Sequence, residues 1–300
     1  TFMRIVFFVP GGAPPCYKPE SAYNLSRMNA IPRYAVFAAA FIMLGCRQMG
    51  PAPVTVDPYP ANPRVDYSDL AIVLNRAVDE GGFLRSYEVA DVQDRLDRQL
   101  ALLAITGPTA TPELFADADA DIAYWYNARA AWAIKLSAMR GCSPSPSTSS
   151  FEHIRFRLDG RMMTLRLIDD ELAGFDDWRI VAAAPCVRLR RSALAREPFD
   201  PATVREAAVE RFNDYAADSD RFVIDVEHRQ VPYNQAIWRF RDRIIAEYER
   251  SYGTRGVSLN TALLPHISGL GQGRLQAAVG YKPVQADDAG PLACAYSPVE

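Results

Sequence analysis

The stretch Tyr124-Trp125-Tyr126-Asn127-Ala128-Arg129-Ala130-Ala131-Trp132 decides how the rest of the chain is read. It sits in a run from about Ala118 to Met139 with no strand-like alternation, good helix formers and apolar residues at nearly every angle. A helix that is apolar all round is one that other elements surround. The run therefore predicts a central helix, and its neighbours must supply the layers that cover it.

Those layers can be followed outward. Toward the N-terminus, Leu70, Val73, Leu74 and Val78 have helical spacing and stop at Asp79-Glu80-Gly81-Gly82. A second stripe, Val89, Val92, Leu96, Leu100 and Leu103, ends at Gly107-Pro108. Toward the C-terminus, a Ser/Pro run over 143–150 reads as a loop. Ile154 to Leu158 then alternates with period two, and Asp159-Gly160 signals a hairpin before Met162-Met163. Thr164 is placed to cap a short helix reaching Leu172, and Trp178 to Ala184 reads as a buried strand. Asp200-Pro201 predicts a helix start. Phe222 to Val226 reads as a strand paired in a hairpin with Val231-Pro232-Tyr233, and Asn234 as the cap of a long helix that Gly253 closes. Two short elements, 259–264 and 275–279, precede a tail from Ala286 expected to be disordered. The sum is an α+β fold, a helix-rich single domain with a small mixed or antiparallel sheet, spanning 65–285.

Composition bounds the function classes. Hydrophobic residues make up 49%, charged residues 23%, and the net charge is −3, which leaves no basic footprint for nucleic acid. The leader is read separately. Met28 to Arg33 carries a positive charge, Tyr34 to Leu44 is apolar, and Gly45-Cys46 ends the segment like a lipobox, although Met43 stands where leucine is usual. The apolar run falls short of the roughly 20 residues needed to span a bilayer. Residues 28–45 are thus expected to be a signal peptide, with Cys46 lipidated and 46–64 a Pro-rich linker. Residues 1–27 receive no assignment. In the remaining chain Cys142, Cys186 and Cys294 allow at most one internal disulfide.

Candidate chemistry is sparse. Asn127 on an apolar helix needs partners for its amide, as a structural clamp or as a polar group of a site. Arg129 could meet a carboxylate ligand or an ion-pair partner. Cys186 follows Pro185 and precedes Arg188, Arg190 and Arg191, which could stabilise a thiolate. Against this, cysteine is most often a small buried hydrophobe. Of the histidines His153, His228 and His266, the last is the least implausible base, because it adjoins the Gly-rich stretch Gly269-Leu270-Gly271-Gln272-Gly273. No cofactor is implied: no ligand spacing suits a metal, and the glycine stretch is a weak phosphate cradle, equally explained as a turn between helices. The arginines from Arg188 to Arg196 read as a solvated face, with an anionic surface as the alternative partner.

The segment Asp177-Trp178-Arg179-Ile180-Val181, followed by small residues and Cys186, resembles the central motif of the DUF547 family, found in bacteria and plants. That motif runs Asp-Pro-Arg-Ile-His and later Ser-Cys-Pro. Trp125 and Asn127 resemble the family's Phe-Trp-Ile-Asn-x-Tyr-Asn-Ala helix, with Arg129 and Ala130 replacing its Tyr and second Asn. Leu158 to Leu165, Trp238-Arg239-Phe240 and Tyr252-Gly253 follow the family order. The resemblance implies a thiol-hydrolase-like site, with Trp125, Asn127, Arg129 and Arg179 as binding residues. Here Val181 fills the histidine position. The expectation is a bacterial envelope lipoprotein, held at the membrane through Cys46, whose degenerate domain binds or scaffolds an unidentified protein or small molecule. The alternative is a cysteine-dependent hydrolase or transferase using Cys186 with a relocated His266.

Overall fold

The computed structural model describes residues 65–142, 152–286 and 291–295. The unassigned N-terminus, the signal segment, Cys46, the linker and the 143–150 loop lie outside the described residues.

Helix α1 (Ser68–Ala77) buries Leu70, Val73, Leu74 and Ala77. β1 (Leu84–Arg85) and α2 (Ser86–Val89) lead to α3 (Gln93–Ile105), which packs on α1. Buried Gln99 of α3 accepts the Leu70 N–H and donates to the Asp66 carbonyl, giving partners to groups at the start of α1 that the helix cannot satisfy itself. α4 (Ala118–Met139) opens on Asp117, whose carboxylate accepts the Asp119 and Ala120 N–H groups. Every α4 residue from Ile122 to Ile134 is buried, so this helix is the axis of the domain. α3, α5 and α7 lie against it.

β2 (Phe156–Leu158) and β3 (Arg161–Met163) form the expected antiparallel hairpin. Asp159 and Gly160 both have positive φ, as a two-residue turn of this hand requires. Phe156 stacks on Trp132 of α4 at 4.1 Å between ring centroids. α5 (Leu165–Leu172) is capped by Thr164, whose hydroxyl accepts the Leu167 N–H. There follow α6 (Trp178–Ala182), α7 (Val204–Ala217), β4 (Gln230–Tyr233), α8 (Gln235–Trp238) and α9 (Arg241–Tyr252). α10 (Leu259–Leu263), α11 (Gly269–Ala277), β5 (Lys282–Gln285) and β6 (Cys294–Ala295) complete the described part. The helix-rich α+β single domain is borne out. Its strands form three two-stranded ladders, β2–β3 antiparallel and β1–β6 and β4–β5 parallel.

Five readings need correction. Trp178 to Ala184 is not a strand; its first five residues are α6. Asp177 accepts the Arg179 N–H as a cap, and alanines favour helix, which decides a short apolar run that periodicity leaves ambiguous. Phe222 to Val226 is not a strand, and its pairing with β4 is limited to one antiparallel bridge at Gln230. Asp225 accepts the His228 N–H and bridges Gln230 through a tight turn, while β4 pairs in parallel with β5. Both strands carry a proline, Pro232 and Pro283, which suits edge positions where a missing N–H costs no ladder bond. The helix after Asn234 divides at Arg239–Phe240 into α8 and α9. Residues 269–273 begin α11 rather than forming a turn between helices. A Cβ on Gly271 would stand 2.8 Å from the Ala216 carbonyl carbon, so glycine allows α11 to lie directly on α7. The fifth correction concerns 291–295, read as disordered tail: β6 pairs with β1, and Cys294 is bonded to Cys142 with 6.0 Å between Cα atoms. A segment tied down in this way is ordered.

Candidate functional site

A cleft of about 340 Å³ opens among α5, α6, α8 and β5. Val181 of α6, Ala236 and Trp238 of α8 form an apolar wall, and Asp169, Arg191 and Arg239 a charged one. Position 181, where the family resemblance puts histidine, therefore does face a cavity, with a side chain that can neither give nor take a proton.

The charged wall rests on a network centred on Asp169. Leu165, Ile168 and Leu172 place the inner face of α5, and Asp169, four residues after Leu165, falls on that face. Its carboxylate accepts Arg129 Nε at 2.7 Å and Arg129 Nη2 at 3.2 Å, and Arg191 Nη2 at 3.2 Å. Arg129 is wholly buried, and its Nη1 donates to the Pro185 carbonyl. One guanidinium thus pins α5 to the chain leaving α6. Burial works against ionisation of Asp169, but Arg129 and then Arg191 prevail and hold its carboxyl below the usual carboxylate range. Burial likewise disfavours the Arg129 and Arg191 cations, and Asp169 more than restores them. At the rim, Asp170 pairs with Arg239 at 2.5 Å and Glu152 with Arg188 at 2.8 Å.

Cys186 and His266 lie at opposite ends of α6. Cys186 is free but 1% exposed, and its N–H donates to the Ser192 carbonyl. His266 stands edge-on to Trp178 at 5.3 Å. Burial, and then Arg179, lower its pKa, while Glu247 and Asp177 oppose the shift.

The other singled-out residues are also placed. Asn127 makes a reciprocal clamp with the backbone of Phe199, accepting its N–H at 2.8 Å and donating to its carbonyl at 3.0 Å. Trp125 is packed edge-on to Tyr124, with Arg161 over its ring. Arg179 pairs with Asp177 at 2.6 Å, half-buried beside His266. His228 is exposed and pairs with Asp225. Sequence reasoning missed Asp169 and misread Arg188 and Arg191, which are 2% and 4% exposed rather than solvated. The signals were present: Asp169 sits at helical spacing from Leu165, and Val187, Leu189 and Leu194 interrupt the arginine run. Among the described residues no cluster of His, Cys, Asp and Glu could hold a metal, and no helix is long and apolar enough to cross a membrane. The chain matches no family model, no curated protein and no solved structure.

Proposed function

We propose that this chain is an exported, lipid-anchored bacterial envelope protein whose DUF547-like domain binds a ligand without catalysing its conversion. One observation carries the reading: Val181 occupies the cleft wall where a base would act, while Cys186 is sealed beneath the surface and His266 stands at the far end of α6. General acid–base or thiol catalysis needs these groups within hydrogen-bond reach of a common point. The Cys142–Cys294 disulfide supports export, since such bonds persist in oxidising compartments.

The rival reading, a thiol hydrolase or transferase, draws on Cys186 being a free thiol. Iodoacetamide labelling near pH 6 with peptide mapping separates the two. The native chain is expected to leave Cys186 unmodified, and unfolding to expose it. Rapid native labelling at Cys186 would overturn the binding-only reading. For the anchor, Cys46→Ala should release the protein from membranes, and an intact N-terminus upstream of Cys46 in the membrane fraction would refute processing there.

A further inference from the structure

The Asp169 network is one negative charge short. Two buried guanidinium groups, Arg129 and Arg191, share a single carboxylate. The remaining acids of the cleft have cations of their own: Asp170 holds Arg239 and Glu152 holds Arg188. Arg191 also carries the one unsatisfied donor of the group. Its Nε is buried and has no hydrogen-bond partner among the described residues, although Arg191 lines the cleft. A buried donor left unpaired costs about 1–3 kcal/mol, and of the buried atoms in this state Arg191 Nε belongs to the residue that lines the cleft.

We propose that the cleft binds a small monocarboxylate, whose carboxylate accepts from Arg191 while its short apolar body lies against Val181, Ala236 and Trp238. The inference rests on the binding role proposed above and names its ligand class. A guanidinium edge matches a carboxylate in plane and spacing, and one added negative charge balances the network. A phosphate dianion would carry more charge than the one the Asp169 network lacks, and Asp169, Asp170 and Glu152 line the cleft alongside Arg166, Arg191 and Arg239. The cleft, at about 340 Å³, is near the lower end of ligand pockets and fits one small molecule.

Calorimetric titration of the full chain with butyrate, benzoate, benzyl alcohol and inorganic phosphate tests this. Saturable binding of at least one carboxylate is expected, with benzyl alcohol and phosphate at least about tenfold weaker. Arg191→Lys, which keeps the charge and loses the planar fork, should weaken carboxylate binding about tenfold or more. Because that variant disturbs a buried network, Gln285→Trp is the companion. Gln285 is an exposed residue of β5 on the cleft lining, so a bulky side chain there obstructs the cleft and leaves the network intact. It should weaken binding to a similar degree with an unchanged melting temperature. Absence of saturable carboxylate binding, equal binding of phosphate, or affinity unchanged in both variants would overturn the proposal. Failure of the non-catalytic reading looks different: Cys186 labels in the native chain whatever benzoate does.

Discussion

Asn127 and Arg129 stand two positions apart on α4, both fully buried, and they solve the same problem in opposite ways. Two helical steps turn a side chain by about 200°, so the pair points to opposite sides of the axis. Asn127 faces the loop at Phe199 and closes on it, with amide donor and acceptor matched to one backbone N–H and one carbonyl. Arg129 faces α5 and the exit of α6, and its carboxylate partner is shared with a second guanidinium at the wall of a cleft. The neutral knot is complete and has only a structural consequence. The charged knot carries a surplus, and Arg191, one of its two cations, lines the cleft. Burial alone does not mark a site; an unbalanced buried charge beside a cavity does.

The largest test of this contrast is Asp169→Asn, which strands two buried cations. A loss of about 3–5 kcal/mol is expected in denaturant unfolding. The pH dependence should change as well. The folded pKa of Asp169 is depressed, so its contribution is present above the unfolded value of about 3.9 and is lost as pH falls through the folded value. The wild-type chain should therefore lose stability below about pH 4 more steeply than Asp169→Asn, and parallel acid limbs would break the comparison. Asn127→Ala comes next, at about 2–3 kcal/mol, because it leaves the Phe199 N–H and carbonyl unpaired. Its acid limb should run parallel to wild type, as no charge is involved. Arg179→Ala sharpens the contrast from below. Its pair with Asp177 is partly exposed on both sides, and removal should cost less than about 1 kcal/mol, read as a small shift in the unfolding midpoint.

How much of this was legible in the chain follows from the range of the interactions. α4 and α5 begin at their caps, Asp117 and Thr164, and the β2–β3 turn lies at Asp159-Gly160, because each is set by neighbours within a few residues. β4 pairs with β5 across some fifty residues, and no local pattern names a partner at that distance. α6 was misread because an apolar run this short fits a strand and a helix alike, and the Asp177 cap decides it. The site suffered more. Cys186 and His266 attract notice by residue type, yet the fold keeps them apart. Arg191 and Asp169 belong to commonplace charged sequence, and only tertiary packing removes them from water. The clamp role of Asn127, by contrast, follows from its setting, since an amide on an apolar helix must find partners nearby.

The bond between Cys142 and Cys294 has a consequence in time. The two are separated by 152 residues, and Cys186 stands between them in the chain, so in the unfolded state it is the nearer partner for Cys142. Once the chain is in an oxidising compartment, Cys186 offers a competing pairing until it is buried. Prompt burial of Cys186 behind α6 withdraws the competitor, so the early docking of α5 and α6 on α4 would act as a proofreading step for a covalent bond that neither helix contains.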